Sequence, residues 1–473
     1  MFDGREIAQF PEASARALGD ENLQAALRLL GEGFQARRTD AVERFSEFED
    51  ARDAAVDAKR RTLRQLHHHL EAFEARCQEQ GGVVHWAETP ADARQIVLEL
   101  LTSRGVRVLS KGKTMVAEEI GLNGFLEEHG IEVVETDLGE YIIQLAEEVP
   151  SHIIAPAIHK TMPQVVELFR QHHDKLKAAP FPRRTPADLV AEARTVLRRR
   201  YLEADAGLTG ANFLVADTGS SVIVTNEGNG DLTQTLPRLH IVLATIEKVV
   251  PTLADGAAIL RVLARSATGQ DMSAYTTIST GPRRSTDIDG PSEYHVVLLD
   301  NGRSSLLGTP AEEVLRCIRC GACMNHCPVY GAVGGHAYGW VYPGPIGAAL
   351  TPALLGVEAA RHLPNASSLC GRCEEVCPMR IPLPKIFRYW RAKEHEARLN
   401  TVRARLALAL WGWLAAHPRL YRLGTGAAMW ILSRLAGRSR RYRNLILANG
   451  WTRSRDFPAP AGRTFLNSWN RRP

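Results

Sequence analysis

Seven cysteines crowded between positions 317 and 377 constrain this chain more than any other feature. Cys317, Cys320, Cys323 and Cys327 are separated by two, two and three residues, and Pro328 follows directly. Thiolates spaced this way hold cubane iron–sulfur clusters: the two-residue gaps wrap the backbone around one cluster, and the fourth thiolate reaches a neighbouring one. The proline ends the loop and sets the direction of the departing chain. A second run, Cys370, Cys373 and Cys377 with Pro378, aligns with the first if its opening cysteine is missing, and the empty place falls on Ser367.

Crossing of the fourth thiolate assigns Cys317, Cys320, Cys323 and Cys377 to the first cluster and Cys327, Cys370 and Cys373 to the second. Two zinc sites are the rival, since paired C-x-x-C units also serve zinc. A three-cysteine run plus Cys-Pro in both halves suits interleaved cubanes better. The open corner of the second cluster has three readings: a [3Fe–4S] cluster, a [4Fe–4S] cluster completed by Ser367, Ser368 or water, and a site completed by a partner. No nucleophile or acid/base pair stands nearby, so this ferredoxin-like module reads as a wire before a catalyst. Arg316, Arg319 and Arg372 offset the negative charge of thiolate-bound iron. His326, next to Cys327, reads as a bystander at the cluster edge.

The remaining composition fits a soluble globular chain of two or three domains. Residues 1–10 include Asp3, Arg5 and Glu6 and lack the apolar segment of a secretory signal, so cytoplasmic residence is expected. Seven clustered cysteines in such a chain argue for metal over disulfides. Cys77 stands alone in a polar helix. Charge is unevenly divided: from Arg391 onward there are 17 Lys+Arg against 3 Asp+Glu, which leaves −9 for residues 1–390 out of an overall +5. The apolar stretches at 406–416 and 423–433 fall short of the about 20 residues that span a bilayer.

Four regions follow: N-terminal helices over 1–80, an α/β domain over 81–305, a two-cluster module over 306–395, and a basic helical region with a tail over 396–473. Val42, Phe45, Phe48, Ala51 and Val56 recur at near-helical spacing. His67, His68 and His69 point to different faces of their helix and read as solvated. Beyond Gly82, β-branched runs alternate with helical patterns. Strands are expected at 83–86, 106–110, 131–135, 151–156, 212–217, 221–226, 240–245 and 294–299, with helices at 91–104, 114–129 and 162–178. The pair around Thr218-Gly219-Ser220 reads as a hairpin, which makes the mainly parallel sheet mixed. Gly, Pro and aromatics make 330–352 irregular. The region from 400 to 445 is helical, and 451–473 is an extended tail.

The chain resembles the lactate utilization protein B family. The likeness rests on Ser110-Lys111-Gly112-Lys113-Thr114-Met115, Thr136-Asp137-Leu138-Gly139-Glu140-Tyr141 and Ser151-His152-Ile153-Ile154-Ala155-Pro156-Ala157-Ile158-His159. It continues through Thr209-Gly210-Ala211-Asn212, Thr225-Asn226-Glu227-Gly228-Asn229, both cysteine runs and Ser454-Arg455-Asp456-Phe457-Pro458. The resemblance implies a LUD-type α/β domain, similar in fold to the ribose-5-phosphate isomerase and coenzyme A transferase group, followed by two [4Fe–4S] clusters. It implies work in oxidising L-lactate to pyruvate with two companion proteins, one cysteine-rich and one holding only the LUD domain. The family's seven cluster cysteines correspond to the seven here, and its second cluster also has three, so Ser367 is no departure.

Four further residues are candidates within the α/β domain. Lys111 and Lys113 end a predicted strand, where such sheets bind ligands, and suit a carboxylate or phosphate as well as they suit a solvated loop. His159 closes an apolar stretch at a loop edge. Glu227 is similar in placement to the nucleophilic glutamate of coenzyme A transferases, though a plain turn also explains its glycine neighbours. Arg283, Arg284, Asp287 and Asp289 read as a salt-bridged turn ahead of an anion clamp. No G-x-G-x-x-G follows a strand, so a bound nicotinamide or flavin is not supported.

The basic C-terminal helices carry Trp411, Trp413, Tyr421 and Trp430, a composition of membrane surfaces and protein interfaces. Contact with a partner, an electron acceptor or the inner face of the membrane is expected there, and nucleic acid is not. The expected function is electron transfer within an L-lactate-oxidising complex. The alternatives are a self-sufficient hydroxy-acid oxidoreductase with its active site in the α/β domain, and a scaffold whose clusters only stabilise the fold.

Overall fold

The computed structural model describes residues 7–173, 185–445, 452 and 456–469. Residues up to 394 form one compact unit and those from 395 a second. In the first unit the strands are β1 (Val83–Ala87), β2 (Val108–Gly112), β3 (Glu132–Glu135), β4 (Ala206–Thr209), β5 (Phe213–Val215), β6 (Ser220–Thr225), β7 (Leu239–Thr245), β8 (Val249–Val250), β9 (Tyr275–Ser279) and β10 (Glu293–Leu299).

Six of them form a wholly parallel sheet in the order β1-β10-β7-β4-β2-β3. Helices cover both faces, so β4 and β7 are buried along their whole length, which explains their continuous apolar runs. The expected hairpin exists as the antiparallel pair β5 and β6, but it belongs to a separate four-stranded sheet, β8-β5-β6-β9. The mixed character therefore lies in the small sheet. Its hairpin needs Gly219: φ is +69°, and a Cβ there would stand 2.3 Å from the Cys77 backbone nitrogen.

The N-terminal region is helical as expected, over Phe10–Gly19, Glu21–Leu30, Ala36–Glu43, Phe48–Arg64 and Leu66–Glu79. Of the three histidines expected to be solvated, His67 and His68 are exposed and His69 is half-buried. Helix Phe48–Arg64 buries Ala51, Ala55, Ala58 and Val56 on one stripe. That stripe packs into an apolar core shared with the small sheet and the cysteine module, which is why the three regions share one unit.

Several expectations need correction. The helix over 114–129 is broken at Gly121 (φ +62°) into Met115–Glu119 and Leu122–Glu128. The helix begun at Met162 runs to His172, and 174–178 lie outside the described residues. Residues 151–156 form no strand: the Ser151 N–H donates to Pro156 O, the Ser151 carbonyl accepts from Tyr330 Oη, and the Ile154 N–H donates to His152 Nδ1. Side chains satisfy what a neighbouring strand would have.

Gly344–Leu355, expected irregular, is a helix. Pro345 occupies its tolerant first turn, and residues 344–352 are buried, which outweighs the bond lost at Pro352. In the second unit, helices Val402–Ala415 and Pro418–Leu435 bear out the basic helical expectation. The described part of the tail is not simply extended: Phe457–Pro458 pairs with Arg441–Tyr442, and Phe465–Trp469 is helical. Ser454 and Arg455 lie outside the described residues.

Candidate functional site

The two cysteine runs approach each other as loop–helix turns, each with a left-handed glycine (Gly321 and Gly371) starting a short helix that carries the next thiol. Their thiols line two separate cavities. Cys317, Cys320, Cys323 and Cys377 line one, sealed by Ile318, Ile346, Met379, Ile381 and Leu383. Cys327, Cys370 and Cys373 line the other, together with Ser367, Ser368 and Phe387. No fourth thiol reaches the second cavity; Ser367 Oγ accepts the Leu369 N–H at 3.1 Å beside it.

All seven thiols are free of disulfides. Burial pushes the Cys320, Cys323, Cys373 and Cys377 thiols up, and neighbours of the same cavity push further: Cys377 and Cys317 act on Cys320, and Cys327 and Cys370 on Cys373. Cys323 also senses Cys373, so the two sets adjoin. Converging buried thiols that oppose each other's ionisation need a cation to become thiolates, and this donor set fits iron–sulfur clusters.

Buried arginines from the N-terminal helices brace the second run. Arg52 Nη2 donates to Cys377 O at 2.7 Å, and Arg38 Nη2 donates to Val376 O at 3.0 Å. Sequence reasoning missed both; their signal was a charged residue on an otherwise small, apolar helix stripe. Arg316 is buried and donates to Arg380 O, whereas Arg372 turns outward to Glu375. His326 Nδ1 donates to Ala322 O at 2.9 Å.

Arg319 lines the first thiol cavity and also a third cavity, of about 120 Å³, at the C-terminal ends of β2, β4 and β7. Its guanidinium lies 4.5 Å from the Tyr342 ring centroid, and Nη2 is 3.5 Å from Glu247 Oε1. Behind it runs a buried ionic chain. Glu247 meets Arg303 Nε at 3.2 Å, Arg303 pairs with Glu119, and Glu119 accepts from Tyr342 Oη at 2.7 Å. Burial alone would raise the Glu247 carboxyl, but Arg303, Arg319 and Lys248 bring it down to about 2. Lys59 donates to the Glu247 carbonyl.

The four candidates in the α/β domain separate. Lys111 lies inside β2, fully buried, between Glu118 at 2.6 Å and Glu135 at 2.7 Å. Burial opposes its charge, and Glu118, Glu135 and Glu140 more than compensate, so its pKa rises. It is a core ion pair rather than part of a loop. Lys113, just beyond the strand in a left-handed conformation (φ 48°), lines the strand-end cavity with Asp137, Glu140, Asn212 and Lys248.

Glu227 lies beside this group: its Oε2 is 3.4 Å from the Leu138 nitrogen, and burial followed by Asp137 raises its pKa. His159 stands apart, bonded at 2.7 Å to both Ser151 Oγ and Glu148 Oε2 near His336. Both of its nitrogens are engaged and Lys160 neutralises Glu148, so this trio does not suit a cation. Arg284 donates to Gln80 Oε1 and its N–H to Asp287, as a charged turn would.

Three family models match the chain: LUD domain over 70–299, 4Fe-4S dicluster domain over 313–381, and lactate utilisation protein B, C-terminal, over 392–473. Among similar proteins, lactate utilization protein B of Bacillus velezensis is 40% identical over 458 residues, 96% of this chain and 94% of the relative. The protein of that name from Bacillus subtilis is 40% identical over 454 residues, 95% and 94%. That of Anoxybacillus flavithermus is 39% identical over 460 residues, 97% and 96%.

Proposed function

This chain belongs to the lactate utilization protein B family, and from that premise we propose that it is an iron–sulfur electron-transfer subunit acting in the oxidation of L-lactate to pyruvate. The observation that carries this reading is the sorting of seven thiols into two adjoining cavities, four and three. Cys317, Cys320, Cys323 and Cys377 hold one [4Fe–4S] cluster. Cys327, Cys370 and Cys373 hold the second, whose open corner lies on the Ser367 side. When bound, the clusters accept and release single electrons.

The chain's own residues supply the rest. Ile318, Ile346, Met379 and Ile381 keep water from the first cluster, and Arg38, Arg52, Arg316 and Arg319 offset its charge. Two companion proteins, one cysteine-rich and one with the LUD domain alone, exchange electrons or substrate with it. Docking uses the second unit, where Trp411, Trp413 and Trp430 are more than half exposed among arginines. No described helix is long and apolar enough to cross a membrane, which suits peripheral contact.

A second reading, a self-sufficient hydroxy-acid oxidoreductase, is favoured by the cavity at the strand ends. Electron paramagnetic resonance of the anaerobically purified protein, mixed with an extract of source cells lacking this chain, tests the main reading. Addition of L-lactate should reduce the clusters. Oxidised clusters in an extract that still consumes lactate would sink it, and lactate oxidation by the purified chain with an artificial acceptor would establish the second reading.

A further inference from the structure

The strand-end cavity is bounded by two parts of the chain that sequence reading treats separately. Its floor is Lys113 and Thr114 after β2, Gly210 to Asn212 after β4, and Thr245 at the end of β7 with Lys248 beyond it; its far wall is Arg319 and Tyr342 from the cysteine module. We propose that this cavity binds a small carboxylate of the 2-hydroxy or 2-oxo acid class, gripped by Lys248, Lys113 and Arg319. The choice of acid rests on the reading of the chain as a lactate-oxidising component; the existence of the site rests on the geometry.

Size favours a small ligand: the cavity, of about 120 Å³, is well below the about 300–1,000 Å³ of pockets for drug-sized molecules. Charge selects an anion. Three cations from three different segments line the space with Asp137 and Glu140, while Glu227 lies near Lys113 and Glu247 near Lys248 and Arg319. Glu140 is only 6% exposed, its Oε2 has no hydrogen-bond partner, and burial together with Glu135 and Asp137 drives its pKa well up. Its protonated form is thus favoured, and in that form it can donate a hydrogen bond to a bound carboxylate.

Arg319 Nη1 also lacks a partner, and Glu247 is shared among Arg303, Arg319 and Lys248. Asn212, whose Oδ1 accepts from the Val224 N–H at 2.9 Å, lines the same cavity. Lys113 lines the strand-end cavity and not the thiol cavity, whereas Lys248, which lines the strand-end cavity too, also senses Cys317. Arg319 alone borders both, so a bound anion would sit one guanidinium away from the first cluster.

The test uses the full chain with its iron loaded, anaerobically and without partners. Equilibrium dialysis with labelled pyruvate and L-lactate should show saturable binding at one site per chain, together with a changed paramagnetic signal from the first cluster. Lys248→Met and Lys113→Asn should each weaken binding at least tenfold at unchanged iron content; asparagine tolerates the left-handed backbone at 113. If Lys248→Met loses iron, Asn212→Asp, which adds a negative charge to the wall, takes its place with the same expectation. No saturable binding by the iron-replete protein, equal binding of acetate and phosphate, or unchanged affinity in the variants would each overturn the proposal. Because no partner or acceptor is present, failure of lactate to reduce the clusters in extracts would remove the electron-transfer reading and leave this result standing.

Discussion

Arg303 and Glu119 face each other with both side chains fully buried, Nη2 at 2.6 Å from Oε2 and Nη1 at 2.9 Å from Oε1. The pair joins the α/β domain to the cysteine module, because Glu119 also accepts from Asn301 and Tyr342. Removing one partner of such a pair typically costs about 3–5 kcal/mol, since the other charge stays buried. Glu119→Ala should therefore lower the denaturant midpoint strongly, and Arg303→Lys, which loses the forked geometry, should fall between it and wild type. Unchanged midpoints would show that the chain of charges is not structural.

Crossed cluster ligation makes an uneven prediction. Cys327→Ser lies in the first run yet should erase the paramagnetic signal of the second cluster and spare the first, while Cys377→Ser should do the reverse. Iron analysis of the wild type should give about 7 to 8 iron per chain, the lower figure for a [3Fe–4S] second cluster. A content of about two zinc and no brown colour would sink the cluster assignment.

His152 should make folding acid-sensitive. Its Nδ1 accepts the Ile154 N–H at 3.1 Å and its Nε2 donates to Asn325 Oδ1 at 2.9 Å, so only the neutral ring satisfies both. Burial holds its pKa down to about 4, against about 6.5 in an unfolded chain. Between those values the unfolded state binds more protons, so stability is lost as pH falls through the window and levels off below it. The loss approaches about 3 kcal/mol. His152→Gln should flatten the slope of melting temperature against pH from 6.5 to 4, although His240, held down to about 3, contributes a similar slope of its own. An identical slope in the variant would contradict this.

The second unit should bind anionic surfaces. Each arginine near such a surface is worth about 1 kcal/mol. Substituting Arg403, Arg405, Arg419 and Arg422 by glutamate should abolish sedimentation with phosphatidylserine-containing vesicles, while pure phosphatidylcholine vesicles should bind neither protein. Retained binding would assign the surface to a protein partner.

Most of the domain plan was legible because it is written in local patterns. Short β-branched runs located β1, β2, β3, β7 and β10 to within two residues but not the short central strand β4, and near-helical apolar spacing declared the N-terminal region helical. The expected strand at 151–156 failed because its apolar residues are buried by the cysteine module rather than by a neighbouring strand, and spacing cannot distinguish the two. Gly344–Leu355 was hidden for a related reason, since proline and glycine signal loops until full burial overrides them. Lys111 looked like a ligand-binding loop lysine; only the sheet brings Glu135 on β3 beside it.

By itself, then, the sequence located the iron–sulfur module, because thiolate spacing is a local geometric requirement that the backbone must meet wherever it folds. It also determined the α/β layering, through hydrophobic period. Only the tertiary structure decided that Arg319 and Lys248, 71 positions apart, line one cavity, and that burial beside Glu135 and Asp137 raises the pKa of Glu140 in its wall. Such groupings depend on long-range packing and on desolvation, and neither leaves a mark on nearest neighbours in the chain.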